Sequence, residues 1–260
     1  MRAVISVANV AARSGKTTVA VNLAAEISRR GIRTLLIDAD PQARATPFFI
    51  KAGQIVRTLS DVLLPTRECE ARRTTDVWDV FSPGGFTHLG VVASDIRLAP
   101  FEGLDEVRIT DLRDCLGLIS DFYDLVILDT PSSLAPLTQA SLCASTYVLV
   151  PVSLGGQGEM GVSLIEQSLG NMPCSAPPEA LWVVCNRFDC RDHSSGQLYE
   201  RLTARWGGRV FDTIVHRDEQ IEAYAERGMT VAASGQATPG ADLYARLADE
   251  TLTKLHLTHA

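Results

Sequence analysis

The stretch Val4-Ile5-Ser6-Val7-Ala8-Asn9-Val10-Ala11-Ala12-Arg13-Ser14-Gly15-Lys16-Thr17-Thr18 decides the fold. Its apolar opening, Ala3–Ala8, predicts a buried strand, and the Gly-Lys-Thr that follows opens a helix predicted over Lys16–Arg30. Strand, tight loop and helix start, in that order, aim backbone N–H groups and the positive end of a helix dipole at an anion. Lys16 can then reach the outer phosphates of a nucleotide, and the Thr17 hydroxyl can take a Mg2+ coordination position. The full phosphate-loop pattern asks for Gly where Val10 stands, so the tripeptide alone decides little and its surroundings carry the reading.

Outward from this stretch, short Val, Ile and Leu runs alternate with helical patterns to the end of the chain. Thr34–Asp38, Leu89–Ala93, Leu125–Asp129, Tyr147–Pro151, Leu181–Asn186 and Val210–Val215 predict strands buried on both faces. Helices are predicted over Arg108–Asp121, Gly161–Leu169, Ser195–Trp206 and Ala241–Leu255. The alternation implies an α/β doubly wound, mainly parallel sheet flanked by helices, as a single domain over residues 1–260. Pro41–Gly85, with Arg67, Arg72, Arg73 and the breaker Ser82-Pro83-Gly84-Gly85, reads as helices and loops over one sheet edge.

Two strand ends carry acids: Leu36-Ile37-Asp38-Ala39-Asp40-Pro41 and Ile127-Leu128-Asp129-Thr130-Pro131. In a parallel sheet these gather at the edge where the first loop binds its ligand. Asp129 is placed to hold Mg2+ through water, with Asp38 and Asp40 beside it. Asp38 or Asp40 taken alone reads better as a helix N-cap, but three acids at two strand ends next to a Gly-Lys-Thr helix favour a metal–phosphate site.

Composition excludes other classes. The formal charge of −7 confines any nucleic-acid binding to a local basic patch. The N-terminal apolar run is too short for a signal peptide, and no run approaches bilayer-spanning length. The six cysteines (69, 115, 143, 174, 185, 190) lack a CxxC pair and read as reduced thiols in a cytoplasmic protein. The five histidines have no ligand spacing, and there is no Gly-x-Ser-x-Gly elbow.

On these residues the chain resembles the ParA/MinD family of deviant Walker-A ATPases, which position plasmids, chromosomes and other cargo. Val4–Ala25, Leu35–Thr46, Tyr123–Pro151, Val183–Asp189, Phe211–Gly228 and the closing helix through Asp242–Ala248 carry the likeness. The resemblance implies that Arg13, Ser14, Gly15, Lys16, Thr17 and Thr18 hold the phosphates of ATP. It makes Thr17, Asp38 and Asp129 the Mg2+ side, Asp40 the acid that orients the attacking water, and Asn186 the adenine contact. It further implies an ATP-dependent homodimer, hydrolysis that releases it, and an adaptor partner of the ParB kind.

The departures from the family are as informative. Its Lys-Gly-Gly-x-Gly-Lys-Thr reads Ala11-Ala12-Arg13-Ser14-Gly15-Lys16-Thr17 here, so the signature lysine that reaches the partner's phosphates is Ala11. Arg13 could replace it, or a cation from another loop, as in carboxysome-positioning relatives. Otherwise the protein is a slow hydrolase and acts as a scaffold, as subunits of secretion or exopolysaccharide systems do. Relatives also bind nucleoid DNA without sequence preference. Arg187, Arg191, Arg201, Arg205 and Arg209 are the candidates, and a solvated face of mixed charge explains them equally well. The acids Asp242, Asp249 and Glu250 make the closing helix a poor membrane anchor and point to core packing.

Overall fold

The computed structural model describes residues 3–55, 57–63, 81–83, 85–103, 111–153, 158–172, 174, 176–189 and 191–257. Arg67, Arg72, Arg73, Cys69 and Cys190 lie outside the described residues. In chain order the regular elements are β1 (Ala3–Val7), α1 (Lys16–Arg29), β2 (Thr34–Asp38), α2 (Leu59–Leu63), β3 (Phe81–Pro83) and β4 (Leu89–Val92). They continue through α3 (Asp111–Leu118), β5 (Leu125–Asp129), α4 (Pro136–Ala144), β6 (Tyr147–Val152), α5 (Gly158–Asn171) and β7 (Ala180–Phe188). The chain closes with α6 (His193–Trp206), β8 (Val215–His216), α7 (Glu219–Glu226) and α8 (Pro239–Lys254).

The strands form one sheet in the order β3-β4-β2-β5-β1-β6-β7-β8, with β3 antiparallel to β4 and all other pairs parallel. Because side chains alternate between the faces of a strand, each buried strand feeds two cores. Ile5, Val7, Leu36 and Ile127 join α1 and α8 on one face. Val4, Leu35, Ile37, Val126 and Leu128 meet α2, α3 and α4 on the other, where Val148, Val150, Val183 and Cys185 meet α5 and α6. Helix α8 is a core element, with Tyr244, Leu247, Ala248 and Leu252 buried. Among the described residues no helix is long and apolar enough to cross a membrane.

The sequence reading needs four corrections. The strand expected over Val210–Val215 is Val215–His216, preceded by a lone bridge from Val210 to Val183. The antiparallel edge strand β3 was not anticipated; three residues carry too little pattern to be read. Nor were α4 and α7. Helix α4 is small, apolar and almost wholly buried, so it has no polar face to create a period. Finally, Cys143 and Cys174 form a disulfide, with Cα atoms 5.3 Å apart across 31 residues, where reduced thiols were expected. The meeting of the end of α4 with the connection after α5 has no trace in local sequence. Cys115 and Cys185 are buried, and Cys185 is a free thiol.

Strand order reverses around β1, which lies between β5 and β6, and such a switch point opens a crevice at the carboxyl ends of the strands. Registers Val7↔Asp129 and Asp38↔Asp129 bring three strand ends level with that crevice.

Candidate functional site

The loop between β1 and α1 is held from both flanks. The Asn9 amide donates to the Pro151 carbonyl (2.7 Å) and accepts from the Ala11 N–H (2.9 Å). A Cβ at Gly161 would come within 2.3 Å of that amide, so α5 approaches as closely as a glycine permits. On the other flank the Asn186 amide donates to the Ser14 carbonyl (2.9 Å). Gly15 has φ +86°, and a Cβ there would sit 2.0 Å from Asn186 Nδ2, so this turn tolerates only glycine. Gly15 caps α1 without a side chain, which leaves the first N–H groups of the helix available to a ligand. Arg13 also adopts positive φ (61°), the conformation the family's glycine would take without strain.

Lys16 is 6% exposed, and its ammonium donates to Ser132 Oγ (2.6 Å) and the Ala11 carbonyl (3.3 Å). Burial lowers its pKa to about 8; Asp129 and Asp40 oppose that fall and Arg44 adds to it. A buried lysine with only neutral partners is poised for an anion.

The three acids have different surroundings. Asp38 is saturated, accepting from the N–H of Asp40 (3.2 Å), Ala45 (3.0 Å) and Thr46 (2.8 Å) and from the Thr46 hydroxyl (2.7 Å). Burial lifts its pKa to about 6 despite those donors. Asp40 Oδ1 accepts from the Gln42 N–H (2.9 Å), and Oδ2 lies 3.9 Å from the Arg44 guanidinium. Asp129 is fully buried, and neither carboxylate oxygen has a hydrogen-bond partner. Burial, then the charge of Asp38, raises its pKa well above the usual range. The Thr17 hydroxyl and Lys16 are close enough to ease that cost, though neither Asp129 oxygen accepts a hydrogen bond of good geometry from Thr17. An orphaned buried carboxylate beside a threonine hydroxyl is the arrangement a hydrated divalent cation satisfies, so the residues present fit Mg2+.

Two cavities open from this loop. One, of about 260 Å³, is lined by Arg13, Gly15, Lys16, Thr17, Thr18, Asp40, Arg44, Phe48, Ser132 and Arg187. The other, of about 280 Å³, runs past Asn186 to Asp218, Ile221, Glu222 and Tyr244. Gly15, Thr18 and Arg187 border both, as a ligand with a polyanionic half and a flat half requires. Of the expected site residues, Arg13, Gly15, Lys16, Thr17, Thr18 and Asp40 meet in the first cavity and Asn186 lines the second. Asp129 lies against Lys16 and Thr17 beneath them. Ser14 is buried, with its hydroxyl unpartnered. Ser132 and Arg44 were given no role from sequence, although both sit in stretches already singled out.

The five candidate DNA-binding arginines have separate environments. Arg187 borders the cavities and is paired with Glu222. Arg191, Arg201 and Arg209 are paired with Asp189 (3.4 Å), Glu159 (3.0 Å) and Glu166 (2.9 Å). Arg205 stacks over Trp206, 4.5 Å from the ring centre.

Comparison with known proteins agrees with this fold. The model of an AAA domain family matches residues 2–173. The chain is 34% identical over 255 residues to the chromosome-partitioning ATPase Soj of Thermus thermophilus, with 96% of each chain covered. In fold it is similar to a putative plasmid partition protein from Borrelia burgdorferi bound to AMPPNP. There the TM-score is 0.79 and the identity 19%, with 97% of this chain and 99% of that one covered. It is also similar to cobyrinic acid a,c-diamide synthase from Mycobacterium smegmatis with bound ADP and magnesium, with a TM-score of 0.78 and 21% identity over 98% and 96% of the two chains.

Proposed function

Because the chain belongs to the ParA/Soj family of P-loop ATPases, we propose that it binds ATP with Mg2+ and uses hydrolysis to position a chromosome, plasmid or protein cargo. The observation that carries this reading is the meeting of buried Lys16 and the open N–H groups of α1 at one cavity, with the partnerless carboxylate of Asp129 beside Lys16 and Thr17. Lys16 holds the β- and γ-phosphates, while Ser14 to Thr18 surround them with backbone and hydroxyl donors. Mg2+ supplies charge neutralisation on the transferring phosphoryl group. Thr17 and Asp129 are the residues that would hold the metal. Asp38 holds the turn that carries Asp40, and Asp40 orients the attacking water. Asn186 faces the base and fastens the loop beneath it.

In this proposal ATP joins two copies face to face, the dimer engages DNA, and an adaptor stimulates hydrolysis. Arg13, which lines the phosphate cavity at positive φ, stands two residues beyond the lost lysine and serves as the cation presented to the partner. A second reading, a nucleotide-dependent scaffold without useful turnover, is favoured by one observation: Ala11 has no cation to present, and its carbonyl accepts from Lys16 while its N–H donates to Asn9 within the same chain.

Calorimetric titration with ATP–Mg2+, gel filtration with and without ATP, and a phosphate-release assay test both readings. Micromolar binding, an ATP-dependent dimer and phosphate release are expected. Dimerisation with no turnover, even with DNA and the adaptor added, selects the scaffold; no binding at all ends the nucleotide reading.

A further inference from the structure

We propose that Arg44 is the γ-phosphate sensor of this site, a cation supplied by the same chain that is held on Asp40 until a triphosphate draws it away. The inference rests on the nucleotide reading above and adds to it a residue and a switch.

Three observations converge on this side chain. Arg44 lines the same cavity as Lys16, Thr17 and Ser132, so its guanidinium borders the space a phosphate chain fills. Its Nε stands 3.9 Å from Asp40 Oδ2, one helical spacing along the chain, a separation at which attraction is felt but no good hydrogen bond forms. Its charge also reaches Lys16, whose protonated form it disfavours. Four cations, Arg13, Lys16, Arg44 and Arg187, therefore share a cavity whose one lining carboxylate among the described residues is Asp40, with the buried Asp129 acting on Lys16 from outside it.

A diphosphate held by Lys16 and the α1 N–H groups leaves this balance largely intact. A third phosphoryl group adds negative charge on the side of Asp40. The guanidinium then has a stronger partner than a carboxylate 3.9 Å away, because its planar fork can bond two phosphate oxygens at once. Moving Arg44 takes its positive charge away from Asp40 Oδ2 and makes that oxygen a stronger hydrogen-bond acceptor for water. Asp40 Oδ1 is still held by the Gln42 N–H, so the acid keeps its orientation. Sensing and activation are thereby coupled in one step: the contact that distinguishes three phosphates from two also draws the cation off the acid. The side chain is 60% exposed in its paired state, so nothing packed has to give way when it moves.

The test is the affinity for ADP–Mg2+ and for a non-hydrolysable ATP analogue with Mg2+. Both are measured by calorimetry on the full chain, wild type, Arg44→Ala and Arg44→Lys, at protein concentrations where gel filtration gives a monomer. The wild type is expected to prefer the triphosphate. Arg44→Ala should lose roughly tenfold of that preference with its ADP affinity unchanged, in line with the worth of one charge-assisted contact. Arg44→Lys should recover part of the loss. An unchanged preference in Arg44→Ala, or equal loss for both nucleotides, overturns the assignment while leaving the nucleotide reading standing. A wild type that binds neither nucleotide overturns that reading and this inference together.

Discussion

Asp129 is the residue on which the site turns. A carboxylate fully buried without a hydrogen-bond partner costs the nucleotide-free fold several kcal/mol, of the order usual for an uncompensated buried ion. Its pKa is raised by burial, and an acid whose folded pKa is raised contributes stability below its unfolded value that is lost as pH climbs through the folded one. For Asp38 that window runs from 3.8 to about 6, and for Asp129 it extends higher. The nucleotide-free protein should therefore lose thermal stability from pH 4 toward neutrality. Asp129→Asn should flatten that slope and gain about 1–3 kcal/mol at pH 7, while losing the Mg2+ dependence of nucleotide binding. Calorimetric melts across pH, with and without Mg2+–nucleotide, measure both. A variant less stable than wild type at pH 7 would show that the carboxylate is not the burden described.

At the scale of the element, the turn after β2 is the part most closely tied to chemistry. Four donors converge on Asp38 and fold residues 38–46 back on themselves, which sets the positions of Asp40 and Arg44. The Thr46 hydroxyl both donates to Asp38 and accepts from the Ser94 N–H (3.0 Å), tying the turn to the end of β4. Thr46→Val keeps the shape and removes both bonds, leaving a buried acceptor and a buried donor short. It should cost about 1–3 kcal/mol in a denaturant melt. Turnover should fall further than nucleotide affinity, since Lys16 and the helix N–H groups are untouched. Equal losses in kcat and affinity would mean the turn positions the phosphates and not the acid.

Over the whole molecule, the question is what the outer surface does. On and around α6, Arg201 and Arg209 are held by Glu159 and Glu166 from α5, partners that DNA phosphates would have to displace. Exposed pairs of this kind hold by at most about 1 kcal/mol each, so the competition is winnable but weakens binding. The double variant Glu159→Gln/Glu166→Gln should therefore bind non-specific duplex several-fold more tightly in the presence of ATP, and its affinity should fall more steeply with salt. Fluorescence anisotropy at two ionic strengths reads this directly. An unaltered affinity would remove this face from any DNA-binding role.

Local chemistry in the sequence determined the β/α alternation, the phosphate loop, and the acids at the ends of β2 and β5. Each depends on neighbours within a few positions: apolar runs long enough to make a strand, a glycine where φ must be positive, an acid where a strand stops. The tertiary structure alone decided how those acids divide their work. Asp38 and Asp129 differ little as strand-end aspartates and lie side by side in register, yet the folded turn after β2 surrounds one with four donors and the other is left with none. It likewise brought Ser132 to Lys16 and closed Cys143 onto Cys174. It also separated Arg187 from the arginines beside it in sequence and gave it to the cavities. Such assignments depend on distances across strands and between layers, for which a one-dimensional pattern has no period.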